Sequence, residues 1–197
     1  MNLIVNGIRH SARFVIALGL LVGLNAMAED VGLLDEARKV ASAVPPKLLQ
    51  VLSAEIAQGG VASAVSVCNE KAPQMAKSAS EQSGWTIRRV SLRNRNPKAV
   101  PDAWERSALE EFDRRAASGE SPATLEKSAM VEDGGRKEFR YMKALPVQQL
   151  CLGCHGSNET ISADVAAKIS ALYPEDKAVG YTLGQIRGAM TIRKVQP

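Results

Sequence analysis

The chain has 197 residues, 45% of them hydrophobic and 23% charged, with a formal charge of +4. That length suits one domain around a single core. The 25 Lys and Arg nearly balance the 21 Asp and Glu, and no dense basic stripe with interleaved aromatics occurs, which argues against a nucleic-acid partner.

Arg9 and Arg13 stand before an apolar run from Phe14 to Leu24, and Ala26-Met27-Ala28 places small residues where a signal peptidase reads them. Residues 1–28 are therefore expected to be an export signal, with an apolar run too short to span a bilayer. Residues 29–197 are then expected to be one domain delivered to the periplasm, with no membrane span once the signal is cleaved. Losing Arg9 and Arg13 leaves that domain near charge balance, so charge says little about its partners.

Leu48, Leu52 and Ile56 recur at helical spacing and predict a helix over Pro46 to Gln58, broken by Gly59-Gly60. A second helix over Val61 to Ser80 carries Ala64, Val65, Cys68, Ala72, Met75 and Ala79 on one stripe. Pro73 lies inside it, and its missing N–H predicts a kink beside Cys68. Trp85 to Leu92 alternates as a strand, and Arg93 to Pro101, rich in Asn and Pro, reads as a structured loop. Pro101 to Ala117 is an amphipathic helix with Trp104, Ala108, Leu109 and Phe112, where Asp102 and Glu105 at its start suit capping better than acid–base chemistry. Trp85 and Trp104 suit core packing. Two strands are expected at Leu125 to Val131 and Lys137 to Val147, joined at Asp133-Gly134-Gly135. A helix over Ser162 to Leu172 ends at Tyr173-Pro174, and a last strand covers Gln185 to Val195. Helices in front with strands in the middle and at the end predict an α+β fold, an antiparallel sheet flanked by helices.

Cys151-Leu152-Gly153-Cys154-His155 is the segment with defined chemistry. Two thiols three positions apart, followed at once by an imidazole, form a c-type haem attachment site. The thiols add across the two vinyl groups, and the histidine reaches the iron as proximal ligand. A thioredoxin-type disulfide wants a strand-to-helix setting and usually a Pro or Gly-rich spacer. A zinc site from Cys68, Cys151, Cys154 and His155 has the right ligand count, but adjacent Cys154 and His155 are hard to aim at one tetrahedral ion. The motif occurs once, so one covalent haem c is expected.

The second axial ligand is open on the residues alone. The other histidine, His10, belongs to the export signal, so a bis-histidine haem is excluded within the mature chain. Met75, Met130, Met142 and Met190 are available, as methionine is in electron-carrying cytochromes c. Cys68 competes as an odd thiol in an oxidising compartment, although its neighbours also suit a small buried hydrophobe. Arg88, Arg89, Arg93 and Arg95 gather near one strand end. They suit either haem propionates, which Arg pairs bidentately, or a solvated strand edge, with Arg89 and Arg95 the preferred contacts.

Several motifs occur in order: Cys68-Asn69-Glu70-Lys71-Ala72-Pro73, the run Arg89 to Pro97, Pro101 to Glu105, the haem motif with Gly156, the run Tyr173 to Tyr181, and Ile186-Arg187-Gly188-Ala189. Across nearly all of residues 29–197 this resembles a bacterial family of single-haem c-type proteins with a PAS-like fold, which also serves as the extracytoplasmic sensing part of some signalling proteins. The resemblance implies long N-terminal helices and a six-coordinate haem with His155 on one side and the Cys68 sulfur on the other. No transmembrane helix, kinase or methyl-accepting segment follows Pro197, so direct signalling by this chain is not expected. The expected function is a redox or gas (NO or CO) sensing cytochrome rather than an enzyme, working with a redox partner protein or a membrane sensor partner. A low-potential periplasmic electron carrier is the alternative, and a haem enzyme the distant one.

Overall fold

A computed structural model describes residues 12–196, with side chains from Val31 onward. The expected export signal at residues 1–28 lies outside the residues whose side chains are described. The chain divides into two compact units, Met1–Glu36 and Ala37–Pro197, and the site lies wholly in the second.

Helix α1, Ala12–Ser66, is far longer than the periodicity at Pro46 to Gln58 suggests and runs through Pro45 and Pro46. Two missing N–H groups cost two intrahelical bonds, yet continuous helical residues on both sides carry the helix across them. The expected break does occur: Gly60 takes φ 78°, outside helical space, where glycine has no Cβ to clash. The stretch Val31–Ser83 is long and apolar enough to cross a membrane by length and composition alone. However, Leu48, Leu49, Leu52 and Ile56 within it line an internal cavity.

The kink expected beside Cys68 takes a specific form. Val67–Lys71 is a π turn, closed by the Ala72 N–H donating to the Val67 carbonyl, and α2, Ala72–Ser83, follows with Pro73 in its first turn. A wider turn accommodates a proline that cannot donate to the ordinary i−4 carbonyl. Gly84 at φ 72° then caps α2.

The sheet has four antiparallel strands in the order β1-β4-β3-β2, confirming the α+β class. These are β1, Thr86–Val90, β2, Glu126–Asp133, β3, Arg136–Pro146, and β4, Ile186–Val195. Asp133 pairs with Arg136 across Gly134 and Gly135, at φ 57° and 78°, which is the two-residue turn that demands positive φ at both central positions.

Helix α3, Ala103–Ala117, opens with a capping box: the Glu105 N–H donates to Asp102 Oδ1, and the Asp102 N–H to Glu105 Oε2. Its buried Ala108, Leu109 and Phe112 pack with Val90, Met142, Ala144 and Ala189 into the main core on one face of the sheet. Trp85 is buried edge-on to Phe139. The second face of the sheet carries the site.

Candidate functional site

The Cys151-Leu152-Gly153-Cys154-His155 segment folds into one turn. A 3-10 turn, Gln149–Cys151, leads into α4, Leu152–His155, so Cys151, Cys154 and His155 fall at i, i+3 and i+4 on one side of a helical ridge. Cys151 and Leu152 pack on Val147, Ala178 and Tyr181. Cys154 packs on a cluster of Val65 from α1, Val165 and Ile169 from the apolar face of α5, Ala163–Leu172, and the flanking Ile161 and Tyr173. Gly156 ends the turn where a Cβ would lie 2.6 Å from both the Leu152 carbonyl and Thr160 Oγ1.

A strap of chain after α5 grips this turn. The Tyr181 N–H donates to the His155 carbonyl at 2.9 Å, and the Gly180 N–H to the Gly156 carbonyl at 2.6 Å. Arg95 Nη2 donates to the Cys154 carbonyl at 2.6 Å and pairs with Asp176 at 2.9 Å. Asp176 in turn accepts the Ala178 N–H at 2.9 Å. Arg93 donates to the Lys177 and Val179 carbonyls and stacks on the Tyr181 ring at 4.2 Å. The Tyr173 to Tyr181 run thus holds the turn that carries Cys151, Cys154 and His155 in place.

Above this turn lies a cavity of about 150 Å³. Its walls are apolar side chains of α1 (Leu48, Leu49, Leu52 and Ile56), with Val65, Leu145 and Leu150. Its polar groups are Cys68, Cys151, Cys154, His155, Arg89, Arg95 and Arg187. All six residues singled out from sequence therefore meet at one cavity. Of the sulfur side chains weighed as second axial ligand, Cys68 lines it, whereas Met75, Met130, Met142 and Met190 do not. Met142 is buried in the core under α3 instead. The three cysteines are free thiols, and among the described residues no three His, Cys, Asp or Glu side chains converge as a metal cage.

The electrostatics of this cavity are cationic. Arg89 projects from β1 and makes no hydrogen bond or ion pair among the described residues. Arg95 Nε is buried without an acceptor. Burial pushes the Cys68 thiol up, opposed by the positive charges of Arg89, Arg95 and Arg187. Burial likewise raises Cys154 to about 11. Burial, followed by the charges of Arg187 and Arg95, holds His155 well below its ordinary range, so its ring is neutral. The 2.7 Å contact between Nδ1 and the Ala178 carbonyl makes Nδ1 the donor and leaves the Nε2 lone pair free to bind a metal.

Arg187 is the site residue that strand logic misplaces. Leu145 pairs with Gly188 but Pro146 pairs with Ile186, so Arg187 is the extra residue of a β-bulge. Strict alternation would put it on the α3 side with Ala189. Instead Ile186 packs against that core and Arg187 lines the cavity. Bulges re-aim side chains in this way. Gly188 permits it, at φ 149° and with a would-be Cβ only 2.3 Å from the Val90 carbonyl oxygen.

The remaining sequence candidates separate. Arg88 faces α3, donating to the Val100 carbonyl at 2.6 Å and pairing with Glu105. Asn96 shapes its loop by accepting the Lys98 N–H.

A family model described as Tll0287-like matches residues 24–194. The chain belongs to the Tll0287-like family. Among solved structures, that of the cyanobacterial haem protein Tll0287 superposes with a TM-score of 0.61 at 23% identity, covering 86% of this chain and 96% of that one. The Tll0287-like architecture is thus shared over most of both chains. No curated protein matches the chain.

Proposed function

We propose that the chain is a monohaem c-type protein of the periplasm, with His155 and Cys68 as axial ligands and a redox- or gas-sensing role. The observation that carries this reading is one cavity that gathers two thiols, a neutral imidazole and a further sulfur between apolar walls. The haem named in the Tll0287 structure agrees with it.

The residues fit the group. Cys151 and Cys154 would hold a haem by adding their S–H groups across its two vinyl groups, an addition in which nothing leaves, and His155 Nε2 and Cys68 Sγ would be the donors to its iron. Leu48, Leu52 and Ile56 would exclude water from the group's apolar surface, and Arg89, with no hydrogen-bond acceptor among the described residues, suits a propionate. Arg95 is already tied to Asp176, so it serves the site chiefly by fixing the attachment turn. When bound, a haem supplies a one-electron ferric/ferrous couple.

Cys68 sits in the π turn before Pro73, where backbone hydrogen bonding is already irregular. A sulfur there can leave without unravelling a regular helix, which favours a switch over a carrier with two fixed ligands. With His155 committed to iron, no Ser-His-Asp arrangement is available in the mature chain.

Low-temperature EPR of the ferric protein tests the ligand set. A low-spin thiolate signature is expected, lost in Cys68→Ala while haem stays attached through denaturing electrophoresis. An unchanged spectrum in that variant removes Cys68 as the ligand. Retention of both ligands on reduction and under CO would favour the electron carrier.

A further inference from the structure

Among the described residues Arg187 is a buried cation with no carboxylate in ion-pair contact, Asp176 acting on it only at longer range. It is 6% exposed, and its Nη1 donates to two neutral oxygens, Ser91 Oγ at 3.0 Å and the Arg93 carbonyl at 3.1 Å. Its Nε lies 3.2 Å from His155 Nδ1 and 3.4 Å from Nε2. A donor in the ring plane and that near both nitrogens would collide with the carbon between them. The guanidinium therefore lies against the imidazole face. Tyr181 supports it from another side, its ring 5.4 Å from the guanidinium carbon.

Burying an unpaired cation is costly, and three devices maintain this one: the β-bulge, the positive φ of Gly188, and the Ser91 hydroxyl. Such an arrangement persists where the charge is used. The imidazole face it touches belongs to the proposed proximal ligand.

We propose that Arg187 is a positioning residue that holds the His155 ring and, as a fixed positive charge, raises the reduction potential of the bound haem. This rests on the haem reading above. A cation beside the donor ring opposes the extra positive charge of the ferric state and weakens imidazole donation. It thus counters a Cys68 thiolate, which favours the ferric state.

The experiment is a spectroelectrochemical titration of the full-length haem-loaded protein, one electron per haem, comparing wild type with Arg187→Met and Arg187→Lys. Methionine fills similar volume without a buried charge, a change that folds tolerate well. The Met variant is expected to lower the equilibrium constant for reduction at least about tenfold, equivalent to about 59 mV for one electron. The Lys variant, which retains the charge, is expected within about threefold of wild type. A Met variant at the wild-type potential overturns the proposal, as does a Lys variant that falls as far as Met. If the Met variant does not load haem, the Lys variant decides, and a shift beyond about threefold overturns it. Wild type without covalent haem would remove the haem reading itself. A loaded wild type with an unresponsive Arg187→Met removes only this inference.

Discussion

Asp176 touches several parts of the site at once, pairing with Arg95, accepting the Ala178 N–H and lying two residues from the carbonyl that holds His155 Nδ1. The Arg95–Asp176 side chains are only 8% and 10% exposed, so neutralising one leaves the other buried and unpaired. Asp176→Asn is expected to destabilise the fold by about 3–5 kcal/mol, read as a lower urea midpoint with an unchanged m-value. Arg89 should behave oppositely. With no hydrogen-bond or ion-pair partner to lose among the described residues, Arg89→Gln removes a desolvated cation and is expected to leave the unfolding free energy of the haem-free protein, taken from urea titration, at or above the wild-type value. A large loss there would mean that Arg89 stabilises the fold directly.

At the scale of single elements, the segments that bring Cys68, His155 and Arg187 to the site are irregular ones. The π turn carries Cys68, the short turn Leu152–His155 carries the motif histidine, and the bulge in β4 carries Arg187. Gly188 is the narrowest tolerance among them. An added Cβ there meets backbone at 2.3 Å, not a flexible side chain that could move. Gly188→Ala is therefore expected to destabilise by more than about 1 kcal/mol, and to shift the β4 amide resonances around Arg187 in a heteronuclear NMR spectrum. Regular α3 depends on ordinary capping, and Asp102→Ala is expected to remove about 1 kcal/mol, measured by thermal unfolding.

For the whole molecule, the core under α3 and a set of paired carboxylates govern stability. Phe112 is fully buried, and Phe112→Ala is expected to cost about 3–5 kcal/mol. Glu126 is held below its ordinary 4.5, first by the hydrogen bond from Arg38, against desolvation, with Tyr141 Oη–H also donating at 2.7 Å. A carboxylate depressed in the folded state stabilises fully above its unfolded value. That contribution fades as pH falls from about 4.5 towards the lower folded value. Glu126→Gln should thus lower stability at pH 7 and flatten its decline below pH 4.5, seen in urea midpoints taken across that range. A steepening of the acid limb would contradict the assignment.

The sequence by itself determined the elements whose signals are local. Periodicity placed α3, α5 and the strands, Asp133-Gly134-Gly135 marked its own hairpin, and the spacing of Cys151, Cys154 and His155 brought them to one side of a single turn, since one turn of chain suffices for that. Cys68 was legible as an odd thiol and by resemblance, but not by spacing, because nothing local distinguishes a sulfur that faces a cavity from a small buried hydrophobe. Tertiary structure alone decided that Cys68 and not a methionine lines the cavity, that Arg95 is paired to Asp176, and that Arg187 lies on the His155 ring. Each depends on segments some 80 or more residues apart in the chain, or, for Arg187, on a register shift between β3 and β4. A bulge is a property of two strands together, and alternation read along one strand assigns its extra residue to the wrong face.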